Sequence, residues 1–294
     1  MRSVLVGKLR EKAGDSLLRR VAGPAAHQKR ARIHQTPGSR WFSPDRPVRT
    51  VHADASMYVG GLAALLLQSL HPVAMAAVWA HSGFRGDPWG RLQRTSTFLA
   101  ETTFATAQDA ERAVERVRGV HARVTGTTSD GVAYRASDPS LLAWVHITKT
   151  YCFLEAYQRY GRGLLTDRQQ DGYVEDMASV ARRLGVVDPP MTVAALAASL
   201  GSRRGELAPT EESAATAQYL LAAPPLPRPA RIPYALLAAA AVDLLPPWAR
   251  EHLALPTRTR LLLPVARPGG LAVTSAIRWA TPPLPAHAGA RSGK

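Results

Sequence analysis

MYVGGLAALLLQSLHPVAMAAVWA, residues 57–80, contains no Lys, Arg, Asp or Glu and decides the fold. It is long enough to cross a bilayer as one helix. Yet Gln68, His71 and Pro72 sit at its centre. A proline inside a helix removes a backbone hydrogen bond and clashes with the preceding turn. The segment therefore reads as two shorter helices, a helix-turn-helix buried inside a soluble protein.

Working outward, the apolar spacing is helical almost everywhere, and no alternating run is long enough to argue a sheet. Asp87-Pro88 and Asp138-Pro139 each offer an N-cap acid followed by proline at the first helical position. Thr106 with Asp109 is a variant of the capping box, and Thr192 and Thr210 cap two later helices. The expectation is an all-α, single-domain multi-helix bundle. Its helices fall near 3–21, 54–70, 73–81, 88–104, 106–125, 138–161, 169–185, 192–200, 210–222, 233–245, 247–263 and 271–281. Residues 126–137 read as a loop, and the Pro-rich 223–233 as a linker within the fold. Three parts are expected: a basic helix and surface-wrapping segment over 1–50, the helical domain over 51–281, and a disordered tail over 282–294.

The net charge of +15 is confined to the ends. Residues 1–50 hold twelve Lys/Arg against three acids, residues 250–294 seven against one, and the middle eighteen of each sign. Basic tails without aromatic platforms argue against specific nucleic-acid binding. The N-terminal helix suits weak association with anionic membranes. The single cysteine, Cys152, excludes an intrachain disulfide, a Cys-rich zinc site and an iron–sulfur cluster, and the absence of CxxCH excludes c-type haem. The N-terminus lacks an apolar leader, so the expected location is cytoplasmic. No GxGxxG, P-loop, HExxH or GxSxG occurs, which disfavours nucleotide-dependent and common hydrolytic chemistry.

What remains is a set of inward histidines. His121 shares a helix face with Val114, Val117 and Val124, and His146 follows Leu142 by one turn. Each is either a hydrogen-bonded core residue or a ligand to iron. Arg91, Arg94 and Thr95 share another face, among Leu92, Phe98 and Leu99. Arginines there need an acid such as Glu101 or Glu155, or the carboxylates of a cofactor. His52-Ala53-Asp54 matches a fragment of a two-histidine, one-carboxylate iron site, although Asp54 is more simply an N-cap.

Five stretches in series resemble the rubber-oxygenase and MpaB-type oxygenases, an all-helical family that binds haem b. They are GGLAALLLQSLHP (60–72), HSGFRGDPWGRLQRT (81–95), VRGVHARVTG (117–126), YRASDPSLLAWVHIT (134–148) and LLPPWAR (244–250). The resemblance implies a haem pocket inside the bundle, with His121 as the proximal iron ligand and Arg91 and Thr95 beside the haem. It puts Arg94 in the place of a lysine near the iron and His146 in a pocket-lining motif, with Gln68 and His71 on the adjoining helix. Arg94 or Thr95 would then stabilise charge on bound oxygen, and the expected substrates are a hydrophobic small molecule and dioxygen (or peroxide). The rubber-cleaving members use a glutamate base in the helix before the arginine cluster, where this chain has no acid. His71, which titrates near neutral pH, is the alternative proton-handling group. A non-catalytic haem or lipid carrier and a metal-free interaction protein are the competing readings. The oligomeric state is open.

Overall fold

The uncharged segment folds as two helices that bend by 108° at the break before Pro72. The computed structural model describes residues 2–81, 86–222 and 226–281. Their order begins with α1 (Arg2–Ala22), α2 (Ala26–Gln35), α3 (Pro47–His52), α4 (Ser56–Gln68), α5 (Pro72–His81), α6 (Pro88–Phe104) and α7 (Ala107–His121). A two-strand antiparallel hairpin, β1 (Thr125–Thr127) with β2 (Ala133–Arg135), follows. Then come α8 (Pro139–Tyr160), α9 (Asp167–Leu184), α10 (Val193–Ser202), α11 (Glu211–Ala222), α12 (Arg231–Asp243), α13 (Pro247–His252), α14 (Thr257–Leu262) and α15 (Ala266–Ala280). The protein is mostly α-helical, as its sequence pattern predicts. Among the described residues no single helix is long and apolar enough to cross a membrane.

Several boundaries follow from local chemistry. The side chains of Asp87, Thr106, Asp138 and Thr192 accept hydrogen bonds from the backbone NH groups of Gly90, Asp109, Ser140 and Ala195, as N-caps do. Thr166 and Gln169 form a full capping box for α9, which the sequence reading starts too late. The expected helix 247–263 is two helices: α13 ends at His252, and α14 begins at Thr257 after Pro256 at its N-cap. The segment 22–50 contains α2 and α3, and Val48 is fully packed in the core. The expected tail lies outside the described residues.

The centre of the molecule is α4 lying along α8. Leu62, Leu66, Leu67, Trp144, Phe153 and Tyr157 are all buried in one core. The two helices approach closely at Gly60, where a Cβ atom would stand 2.8 Å from Phe153 Cδ1 and 2.9 Å from the Cys152 carbonyl oxygen. Only glycine lets the backbones meet there. At the other side α15 packs on α12, and Gly270 leaves room for Tyr160 and Ala240.

Two ion pairs fasten distant parts of the chain. Arg46 donates to Asp176 (2.6 Å) and to Glu175 (2.8 Å), joining α3 to α9. Arg278, near the end of α15, grips Asp54 with two hydrogen bonds of 2.9 and 2.7 Å. Asp54 also accepts from the Ser56 backbone NH at 2.8 Å, so it begins α4 and anchors α15 at once. Burial works to raise the Asp54 pKa, but the hydrogen bonds from Arg278 and Ser56 outweigh it and hold the carboxyl below its usual range.

Candidate functional site

The α6–α7 pair carries the first group of expected site residues. On α7, Ala110, Ala113 and Val114 are buried, and His121 extends the same face at the helix end. His121 is half-buried, and its Nδ1 is enclosed without a hydrogen-bond partner. Desolvation lowers its pKa, so the ring is neutral at neutral pH. On α6, Arg91 is half-buried, and desolvation, aided by the neighbouring charge of Arg94, lowers its pKa to about 10. Arg94 and Thr95 are exposed, contrary to the expectation of a mostly buried helix. Arg94 Nη1 lies 3.5 Å from Asp87 Oδ2, two turns back at the helix N-cap. Glu101, a candidate partner for these arginines, instead accepts from Arg116 at 2.5 Å.

The second group surrounds α8. His146 is 4% exposed, with Nδ1 3.4 Å from Thr150 Oγ1 and Nε2 enclosed without a partner. One turn on stands Lys149, whose ammonium no acid neutralises; desolvation lowers its pKa to about 8. Desolvation, and secondarily the Lys149 charge, lower the pKa values of both His146 and His52 to about 3. His52 lies 2.8 Å from Thr103 Oγ1 through Nδ1 and 3.5 Å from the Tyr173 hydroxyl through Nε2. Its ring meets Phe153 edge-on at 5.6 Å. With His52 so placed and Asp54 held by Arg278, the HxD fragment does not form an iron site. Among the described residues no group of three or more His, Cys, Asp or Glu is arranged to share a metal ion.

Gln68 and His71 join this second group. The Gln68 carbonyl oxygen accepts from the Trp144 indole at 3.3 Å, and the Gln68 amide donates to the Val145 carbonyl at 3.4 Å. His71 is 7% exposed, its ring 5.9 Å from that of Trp144. His71 Nδ1 accepts from the Ala74 NH at 3.4 Å and caps α5, while Nε2 stands 3.6 Å from Glu206 Oε2. Desolvation lowers the His71 pKa against the opposing pull of Glu206. So α4 and α5 lack an acid of their own, but a carboxylate arrives beside His71 from the turn after α10.

The structure thus brings Arg91, Arg94, Thr95 and His121 to one helix pair, and Gln68, His71 and His146 to the α4–α8 seam. Sequence reasoning missed Lys149 and Glu206. Lys149 had a signal: it is the one lysine between residues 30 and 293, set in the apolar run around His146. Glu206 had none, because only the fold carries it to His71.

For a haem, the test is whether a neutral imidazole lacks a competing partner and whether a desolvated cation lies nearby. His121 passes the first part through its enclosed, unpartnered Nδ1, and Arg91 on the adjoining helix passes the second. His146, with an unpartnered Nε2, has the same neutral character. The residues present fit the group.

The described residues form a helical bundle with neutral histidines, a class apart from the nucleotide-binding and hydrolase folds. Residues 49–278 match the family described as ER-bound oxygenase mpaB/B'/rubber oxygenase, catalytic domain, and the chain belongs to that family. It therefore carries an oxygenase catalytic domain. No curated protein and no solved structure matches the chain.

Proposed function

We propose that this protein is a haem-b-dependent oxygenase that acts with dioxygen on a hydrophobic small molecule. One observation carries the reading: His121 ends the inward face of α7 as a neutral imidazole whose enclosed Nδ1 has no partner. When bound, haem would supply the iron at which dioxygen is activated. His121 would hold that iron, and Arg91, on the helix packed beside it, would meet the propionates. Arg94 and Thr95, exposed on the same face of α6, would offer hydrogen-bond donors beside the haem. Gln68 and His146 would line the haem pocket from the α4–α8 seam.

His71 handles the proton. Its neutral ring holds the pair formed with Glu206 at 3.6 Å, which does the work of the acid absent from α4 and α5. Replacing His71 with Ala lowers turnover at least tenfold on this reading; unchanged turnover removes His71 from the mechanism. The acid-free α4–α5 pair supports a second reading, a haem carrier of the same fold without catalysis.

The deciding experiment is the visible spectrum of protein expressed with haem precursor, beside His121→Ala and His146→Ala. A Soret band lost in the His121 variant and kept in the His146 variant supports the assignment. A colourless, folded wild-type protein without iron overturns it. Oxygen-dependent product formation then separates oxygenase from carrier.

A further inference from the structure

A groove of about 550 Å³ opens between α12 and α14, far from the histidines in sequence and on different helices. Arg231, Ile232, Leu236, Arg258, Leu261 and Leu262 line it. Ile232 is 75% exposed and Leu261 74% exposed, unusual for aliphatic side chains that share one surface feature. Val265, on the turn that follows α14, is 45% exposed as well.

The charged residues that line the groove, Arg231 and Arg258, have one sign. Residues 226–242 and 252–280 contain no Asp or Glu. Apart from Arg278, which Asp54 holds, their arginines are Arg228, Arg231, Arg258, Arg260 and Arg267, all exposed. Arg258 donates to the carbonyls of Leu221 and Ala222, both at 3.0 Å, which fixes its position at the end of α11 without neutralising it. The basic helix α1 packs against α15, so the two cationic ends of the chain adjoin.

We infer that this face docks the protein onto an anionic lipid bilayer, with Ile232 and Leu261 entering the interface and the arginines meeting lipid phosphates. The inference is independent of the haem assignment. Exposed aliphatic tips ringed by long cationic side chains are suited to the interface, where the stems lie in the apolar layer and the guanidinium heads reach the headgroups. Two other occupants carry the wrong charge. A second copy would bring the same acid-free arginine rim, and residues 282–294 hold Arg291 and Lys294 with no acid. Docking here would set the domain against the phase in which hydrophobic substrates dissolve.

The test is flotation of the full chain with phosphatidylcholine vesicles, with and without phosphatidylglycerol. Binding is expected only with phosphatidylglycerol, and it weakens as salt rises. Each arginine near the surface contributes about fivefold, so R231Q/R260Q loses about 25-fold in partitioning. I232D/L261D loses about a hundredfold, since each buried aliphatic tip is worth about tenfold. These four side chains are exposed, and thermal melting would verify that both variants stay folded. Wild-type partitioning in both variants overturns the proposal and places any lipid contact elsewhere, as on α1. Equal binding to neutral vesicles overturns it too, as does binding to polyglutamate but to no vesicle.

Discussion

His146 lies within a 22-residue helix at 4% exposure, in reach of the Lys149 charge that also acts on His52, whereas His121 ends α7 half-buried beside an α6 whose Arg94 and Thr95 face solvent. Both rings are neutral, and both have an unpartnered nitrogen. The surroundings separate them. The α8 groups are the more tightly packed, so they act on one another and on stability as well as toward the proposed pocket. The α6–α7 strip is open, so its groups are available to a ligand. Burial alone does not mark a site; a buried neutral group next to accessible donors does.

Acid should expose this contrast most strongly. His52 and His146 have folded pKa values of about 3, below the unfolded value near 6.5. Between those limits the unfolded chain binds protons that the folded chain refuses. Stability is therefore complete above about pH 6.5 and falls as the pH drops toward 3, by about 1.4 kcal/mol per unit for each histidine. Denaturant titrations from pH 7 to 5 would measure the slope, and His146→Gln should remove about half of it. A flat profile would mean that the α8 region is open to water.

Lys149→Met comes next. A half-buried ammonium that no acid joins among the described residues is mildly destabilising, and its removal should stabilise the protein by about 1 kcal/mol at pH 7. The same change should raise the low-pH limit at which the acid loss levels off, because the Lys149 charge helps to keep both histidines neutral. Loss of stability in chemical denaturation would show that Lys149 has an anionic partner in solution. The smallest effect belongs to the open strip. Arg94→Ala removes an exposed ion pair with Asp87 and should shift stability by less than about 0.5 kcal/mol. A larger loss would make that strip part of the core.

Much of this architecture is legible from local chemistry. The break before Pro72, the caps at Asp87, Thr106 and Asp138, and the inward placement of His121 and His146 follow from spacing and residue type. The β-hairpin escaped because its strands are three residues each, too short for an alternating pattern to register. The split at Pro256 was masked by apolar residues on both sides. The exposure of Arg94 and Thr95 was hidden by their neighbours: Phe98 and Leu99 pack on the core from the next turn of the same helix. Glu206 beside His71 and Arg278 on Asp54 are encounters between remote segments, and no periodicity announces them.

The Asp54–Arg278 clamp also sets a timetable. The two residues are 224 positions apart, and Arg278 is the final residue of the family match. At a synthesis rate of about 5–20 residues per second, Asp54 waits ~10–45 s for its partner to be made. During the first part of that interval the uncharged stretch 57–80 has no α8 to lie against. On a growing chain that stretch stays uncovered until α8 has been made, and the clamp on the α4 start closes only once Arg278 has been synthesised.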